Sequence, residues 1–215
     1  MHKLVVFDLD GTLVNSITDL ANATNEGLKR AGLPAHPVEA YKRFVGNGRD
    51  KLVERAMGES ASDEKLREIV RDTFDSYYAV HCNDNIYAYE GISEMLSALD
   101  SMKIKTAVLS NKPDEFVDMI LKKTLPNHTF TAAWGKRSEF PVKPDPSALL
   151  AILSELGVEK SDCLYIGDSD VDVFTAQNAG VDMLGVEWGF RGREELVSAG
   201  APFVAKTAKE IINNL

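Results

Sequence analysis

The sequence predicts an α/β protein with a parallel-sheet, Rossmann-like core and an inserted all-helical cap domain. From residue 91 to residue 186, apolar runs suited to buried strands alternate with stretches of helical periodicity. Residues 4–7 form an earlier apolar run, and residues 15–82 after it have helical patterning without a strand signal. Because repeated strand-then-helix order implies right-handed crossovers, we expect the core strands to run parallel.

The same patterning divides the chain into a core, residues 1–14 and 83–215, and a cap, residues 15–82. In the cap, Ser16 and Ser62 are the expected N-caps of two helices, and Gly46-Asn47-Gly48 is an expected break between two others. In the core, the expected strands are residues 104–109, 130–134, 163–166 and 183–186. The expected helices are residues 91–102, 114–123 and 147–156, with one more through Ala176 and Ala179.

Composition and charge argue against several classes of protein. The chain has 215 residues, of which 44% are hydrophobic and 27% charged, as is typical of a globular protein. Its net charge of −9 argues against a nucleic-acid or membrane-surface partner, and an anionic substrate would need a local positive site. Two cysteines cannot form a disulfide framework, and Cys163 fits a small core residue in a reducing compartment. With a strand at its start and no membrane-length apolar run, we expect a cytoplasmic protein, either monomer or homodimer.

Polar side chains follow the apolar runs of several expected strands. Because the carboxyl ends of parallel strands meet at one edge of a sheet, these residues should converge there. Each cluster also has a purely structural explanation. Ser110 and Asn111 could cap a helix, and Lys143 could be a solvated loop residue. Carboxylates after Gly167 could complement a helix dipole. Their joint placement favours a ligand site, made of Asp8, Asp10, Ser110, Asn111, Asp168 and Asp172.

Four ordered segments resemble the motifs of the haloacid dehalogenase superfamily. They are Asp8-Leu9-Asp10-Gly11-Thr12-Leu13, Ser110-Asn111-Lys112, Lys143-Pro144 and Gly167-Asp168-Ser169-Asp170-Val171-Asp172. The resemblance spans the chain, and the helical insert is similar to that superfamily's cap. Two further segments resemble the phosphoglycolate phosphatases within it: Phe44-Val45-Gly46-Asn47-Gly48 and Trp188-Gly189-Phe190-Arg191.

The resemblance implies a role for each matching residue. Asp8 would be the nucleophile that forms an aspartyl-phosphate, and Asp10 the general acid and base, which the dehalogenase branch lacks. Lys143 would place its ammonium on the phosphate and on Asp8. Oxygen ligands suit Mg²⁺ better than zinc. The implied phosphate-binding residues are Thr12, Ser110 and Asn111, and the implied Mg²⁺ ligands are Asp8, Asp10, Asp168 and Asp172. For Asp172, anchoring Lys143 or a metal-bound water is favoured over direct ligation.

The implied function is Mg²⁺-dependent hydrolysis of a small phosphorylated metabolite, with 2-phosphoglycolate foremost. Alternatives on the same scaffold are a sugar-phosphate phosphatase or mutase and a pyrophosphatase. A non-catalytic binding protein is disfavoured, because every expected chemical group is present. To recognise the carboxylate of a small substrate, the cap offers Gly46, Asn47 and Arg49. The alternative there is a plain turn between helices with a solvent-exposed arginine.

Overall fold

The structure, a computed structural model, describes residues 2–215. It divides into two compact units, which are described separately below. The core unit holds the residues up to Asn15 together with Ala88–Leu215, and the helical unit holds Ser16–Tyr87. The second boundary therefore lies after residue 87, whereas the sequence placed it after residue 82.

The helical unit consists of four α-helices: α1 (Ile17–Arg30), α2 (Val38–Phe44), α3 (Arg49–Met57) and α4 (Glu64–His81). The predicted cap Ser62 lies instead in a 3-10 turn, and α4 is capped by Asp63, whose carboxylate accepts the backbone N–H groups of Lys65 and Leu66. Residues 83–87 belong to this unit because the buried Asp19 carboxylate on α1 accepts two groups of Asn85. These are its backbone N–H at 3.0 Å and its side-chain amide at 2.7 Å.

The core unit is organised around a six-stranded parallel sheet, which confirms the predicted α/β fold class. Its six strands are β1 (Leu4–Phe7), β4 (Lys105–Pro113), β5 (Ala132–Lys136), β6 (Cys163–Gly167), β7 (Asp182–Val186) and β8 (Val204–Ala205). Two further short strands are β2 (Val14–Asn15) and β3 (Tyr87–Ala88). The sheet order is β5-β4-β1-β6-β7-β8, and β2 pairs separately with β3. All four residues of β1 are fully buried, as expected for the apolar central strand.

Six helices connect or flank these strands: α5 (Ile92–Ser101), α6 (Asp114–Thr124), α7 (Ser147–Leu156), α8 (Asp170–Ala179), α9 (Arg193–Ala199) and α10 (Ala208–Ile212). The short elements β2, β3, β8, α9 and α10 were not predicted, because a few residues carry too little periodicity to be recognised. Strand β4 also runs on through Pro113 instead of ending at Leu109, and its pairing with β5 changes register between these two residues. Such an irregularity re-aims side chains at a strand end.

None of the helices within residues 2–215 has the combination of length and apolar character that a bilayer crossing would require.

Candidate active site

A tight turn directly after β1 places two carboxylates at the carboxyl edge of the sheet. Asp8 donates its backbone N–H to the carbonyl of Ile166 on β6 at 2.8 Å, so the chain is still held to the sheet at this residue. The carbonyl of Leu9 then accepts the backbone N–H groups of the three residues 12–14. Gly11 adopts a φ of 91°, a left-handed conformation that favours glycine. The turn therefore fixes Asp8 at the strand end and Asp10 just beyond it.

The side chain of Asn111, at the end of β4, holds the backbone of Lys143. Its Oδ1 accepts the Lys143 N–H at 2.8 Å, and its Nδ2 donates to the Lys143 carbonyl at 3.1 Å. The neighbouring Ser110 hydroxyl oxygen accepts the backbone N–H of Lys112 at 3.2 Å. The sequence predicted that Asn111 would bind phosphate. Its side chain has the separate task of placing the loop that carries Lys143.

The ammonium of Lys143 lies among three oxygen atoms. It is 2.8 Å from Oδ1 of Asp8, 2.7 Å from Oδ1 of Asp172 and 3.0 Å from the hydroxyl of Tyr165 on β6. Burial alone would lower the pKa of Lys143, but the carboxylates of Asp172 and Asp8 outweigh it and raise that pKa well above its usual value. Lys143 is therefore a fixed positive charge beside Asp8.

Both oxygens of Asp172 are already bonded. Oδ1 accepts Lys143 and the Tyr165 hydroxyl, and Oδ2 accepts the hydroxyl of Ser169 at 2.7 Å and its backbone N–H at 3.2 Å. This arrangement is the capping box at the start of α8, and it leaves the Asp172 side chain fully buried. As the sequence favours, the geometry makes Asp172 an anchor for Lys143 and leaves neither of its oxygens without a donor for direct ligation of a cation.

Lys112 is a site residue to which the sequence assigned no role. Its ammonium lies 3.1 and 3.0 Å from the two carboxylate oxygens of Asp10, and its side chain is only 2% exposed, against 18% for Asp10. Lys112 belongs to the segment Ser110-Asn111-Lys112, but no local pattern indicates that its side chain reaches the turn after β1. The sequence also assigns no role to Tyr165, because its position within a buried apolar strand does not indicate that its hydroxyl contacts Lys143.

The residues at this edge suit a hard divalent cation. Carboxylate oxygens of Asp8, Asp168 and Asp172 lie within 4.8 Å of one another, and oxygen donors are those preferred by Mg²⁺. When all four carboxyl groups are ionised, they exceed the two ammonium groups by two negative charges, which one divalent cation would balance. The six groups are Asp8, Asp10, Asp168, Asp172, Lys112 and Lys143.

Burial raises the pKa values of two of these carboxyl groups. That of Asp8 rises to about 7, because desolvation and the nearby Asp172 and Asp10 outweigh the stabilising Lys143. That of Asp168 is also raised, first by burial and then by Asp172 and Asp8. Burial is the first cause of both shifts, so these two neighbouring acids lie in a desolvated pocket.

These shifts predict how stability depends on pH in the metal-free protein. The folded state binds the Asp8 proton more tightly than the unfolded chain does, so this group favours folding at low pH. Its contribution should be lost as the pH rises from its usual pKa of 3.8 to about 7. In EDTA, the Tm of the wild-type protein should therefore fall further between pH 5 and pH 8 than the Tm of Asp8→Asn does. Parallel pH profiles of the two proteins would contradict the raised pKa.

The three cap residues predicted to bind substrate lie in the helical unit, around the turn between α2 and α3. Arg49 is bonded to two carboxylates, those of Asp50 and, through a short contact, Asp75 on α4. The side chain of Asn47 accepts the guanidinium of Arg55 at 2.6 Å, and Arg55 also donates to the Phe44 carbonyl at 2.9 Å. Arg49 is thus an ion-paired residue, and its role in substrate binding stays a prediction.

Comparison with known proteins gives a consistent result. Residues 5–186 match the model of the haloacid dehalogenase-like hydrolases. The phosphoglycolate phosphatase of Vibrio parahaemolyticus is 34% identical over 98% of this chain and 94% of its own length. That of Pseudomonas syringae pv. tomato is 35% identical over 100% of this chain and 78% of its own. The crystal structure of a predicted phosphoglycolate phosphatase from Haemophilus somnus has a TM-score of 0.90 at 30% identity, covering 99% of this chain and 97% of that one.

Proposed function

We propose, given that this chain belongs to the haloacid dehalogenase-like hydrolases and is a phosphatase, that it hydrolyses 2-phosphoglycolate to glycolate and inorganic phosphate. The observation that supports this substrate is the similarity over nearly the whole chain to proteins named phosphoglycolate phosphatases. The chemistry is supported by the buried cluster in which Lys143 lies between the carboxylates of Asp8 and Asp172. A fold alone would not specify the reaction.

In the first half-reaction, a carboxylate oxygen of Asp8 attacks phosphorus while the bond from phosphorus to the glycolate oxygen breaks. Lys143, already 2.8 Å from Asp8, reduces the repulsion between the carboxylate and the phosphate dianion. The Ser110 hydroxyl and the backbone amide of Asn111 donate to phosphate oxygens, and Thr12 contributes to the same pocket. Asp10 gives a proton to the departing glycolate oxygen.

In the second half-reaction, Asp10 takes a proton from the water that attacks the aspartyl-phosphate. The bond from phosphorus to the Asp8 oxygen breaks, which releases inorganic phosphate and restores the carboxylate. Lys112 contacts both oxygens of Asp10 and so holds the carboxylate left by the first proton transfer in one orientation for this second transfer. Asp172 keeps the Lys143 ammonium in place throughout.

Mg²⁺ is the proposed cofactor, with Asp8 and Asp168 as carboxylate ligands and the Asp10 backbone carbonyl as a further one. When bound, such a cation supplies positive charge that polarises the phosphoryl group. The all-oxygen donor set and the excess of two negative charges both fit this assignment. Asp172 is left out of the ligand set because donors occupy both of its oxygens.

A substrate panel tests the proposed function. The purified protein is assayed with Mg²⁺ on 2-phosphoglycolate, glucose 6-phosphate, β-glucose 1-phosphate, pyrophosphate and 4-nitrophenyl phosphate, with EDTA as the control. We expect kcat/KM for 2-phosphoglycolate to exceed the others by about tenfold or more, and EDTA to remove the activity. A sugar phosphate or pyrophosphate with the highest kcat/KM would identify one of the alternative functions instead.

Arg49 is proposed to bind the substrate carboxylate, together with the backbone of Gly46 and Asn47. Arg49→Ala should then raise KM for 2-phosphoglycolate about 10-fold or more, the loss typical of one charge-assisted hydrogen bond. KM for 4-nitrophenyl phosphate, which has no carboxylate, should stay unchanged. Asp75→Asn is the matched control, since it removes the ion pair between Arg49 and Asp75 but keeps Arg49 and its pair with Asp50. Equal changes for both substrates in Arg49→Ala would mean that Arg49 is structural.

A further inference from the structure

The segment Trp188-Gly189-Phe190, just beyond β7, contacts the Asp168 carboxylate of the proposed cation site. Its backbone N–H at Phe190 donates to Oδ2 of Asp168 at 2.7 Å. A hydrogen bond from a backbone amide to a carboxylate is charge-assisted, and its direction is set by the main chain alone. Among residues 2–215, Oδ1 of Asp168 receives only the Thr12 hydroxyl, at the long distance of 3.5 Å.

Gly189 packs its backbone directly against the same carboxylate. A Cβ atom added at this position would overlap the side chain of Asp168 and would lie 2.5 Å from the carbonyl oxygen of Gly11. Real Cβ atoms do not approach backbone oxygens this closely, so residue 189 can carry no side chain without a shift of the loop. A Cβ added at Gly11 would also overlap Asp168, with its Cγ at 2.6 Å. Asp168 therefore lies between two backbone segments.

Trp188 joins these two segments. Its indole N–H donates to the carbonyl of Thr12 at 3.1 Å, one residue beyond Gly11. The indole ring also lies beside Tyr89, with ring centroids 6.5 Å apart, and Tyr89 donates its backbone N–H to the Leu13 carbonyl at 3.1 Å. The loop after β1 and the loop after β7 are thus tied together on either side of Asp168.

We propose that Trp188, Gly189 and Phe190 are positioning residues that hold the Asp168 carboxylate in one orientation and thereby set the affinity of the site for a divalent cation. The inference rests on the cation of the proposed function but not on the identity of the substrate. The segment binds through Oδ2, which leaves Oδ1 as the oxygen without a strong donor. Groups that hydrogen-bond to a metal ligand without touching the metal orient that ligand and raise the affinity of the site for the metal.

The test measures Mn²⁺ binding without substrate, by electron paramagnetic resonance of the free ion, with Mg²⁺ as the competitor. Gly189→Ala should weaken binding about 10- to 100-fold, and Trp188→Phe, which removes the indole N–H and keeps an aromatic ring, about 3- to 10-fold. Trp134→Phe is the matched control: this tryptophan lies on β5 against Phe140, away from Asp168, and its loss should leave Mn²⁺ affinity unchanged.

A purely structural role would lower Tm without changing the affinity for Mn²⁺, so both are measured on each variant, with circular dichroism as the check of folding. Saturating Mg²⁺ should restore kcat in Trp188→Phe. If wild type, Gly189→Ala and Trp188→Phe bind Mn²⁺ equally, the positioning role is wrong while the proposed function stands. If Gly189→Ala does not fold, the Trp188→Phe result decides. If the wild-type protein bound neither Mn²⁺ nor Mg²⁺, both the proposed cation site and this inference would be wrong.

Discussion

Asp8→Asn is expected to lower kcat by about 10⁴-fold or more, the scale seen when a nucleophile is removed, while the fold remains intact. An amide cannot attack phosphorus, so the covalent step is lost. The substitution keeps the volume of the side chain and removes the charge that faces Lys143 at 2.8 Å. Because burial already raises the pKa of Asp8, the neutral side chain should be tolerated at this position.

The measurement is steady-state kinetics with Mg²⁺ on 2-phosphoglycolate and on 4-nitrophenyl phosphate, with Tm as the check of folding. Asp182→Asn is the matched control, because this aspartate lies exposed at the start of β7 and should leave kcat unchanged. An Asp8→Asn protein that kept a tenth or more of the wild-type kcat would show that another group attacks phosphorus.

Lys143→Met is expected to affect both turnover and stability. Removing the ammonium leaves the carboxylates of Asp8 and Asp172 facing each other without a cation, which should cost about 3–5 kcal/mol in the free energy of unfolding. It also removes charge stabilisation at the reacting phosphate, which should lower kcat by about 10²- to 10³-fold. Asp172 would then have to rely on Tyr165 and Ser169 alone.

Denaturant unfolding and kinetics on the same samples check this prediction. Lys3→Met is the matched control: Lys3 lies 2.7 Å from Asp162, as close as Lys143 is to Asp172, but its side chain is 72% exposed. Exposed ion pairs contribute little, so this control should unfold at nearly the same denaturant concentration as wild type. If Lys143→Met and Lys3→Met lost similar amounts of unfolding free energy, Lys143 would not stabilise the buried cluster. If Lys143→Met kept a normal kcat, Lys143 would not take part in catalysis.

The fold class could be predicted from the sequence because its signal is local. Residues 4–7 are all apolar and fully buried in β1. Asp8 and Asp168 directly follow the ends of β1 and β6, as the pattern predicts, and Ser110 lies in the last part of β4. A parallel sheet turns these strand ends into one site, so topology alone indicates which distant residues meet. Predicted helix and strand bounds differ from the structure by a few residues, as at α4, where Asp63 competes with Ser62 for the cap.

The side-chain partners in the candidate site could not be predicted, because they depend on contacts between residues far apart in sequence. Lys112 reaches Asp10, and the Asn111 side chain holds Lys143, because β4 continues past Leu109 with a register shift that no local pattern marks. Arg49 carries a charge that suits an anionic substrate, but its partner Asp75 lies one helix further along and could not be inferred. Side-chain partners are set by tertiary packing, which a single sequence does not encode locally.

The central claim is that Asp8 becomes covalently phosphorylated, and the most direct test is to trap that species. Asp10→Asn should slow hydrolysis of the intermediate far more than its formation from 4-nitrophenyl phosphate, whose leaving group needs no proton. After acid quench and borohydride reduction, which converts an acyl phosphate to an alcohol, peptide mass spectrometry should find homoserine at position 8 in this variant. The doubly substituted Asp8→Asn, Asp10→Asn protein should give none. A stoichiometric burst of 4-nitrophenol with Asp8 unmodified, or with another residue reduced, would contradict the mechanism.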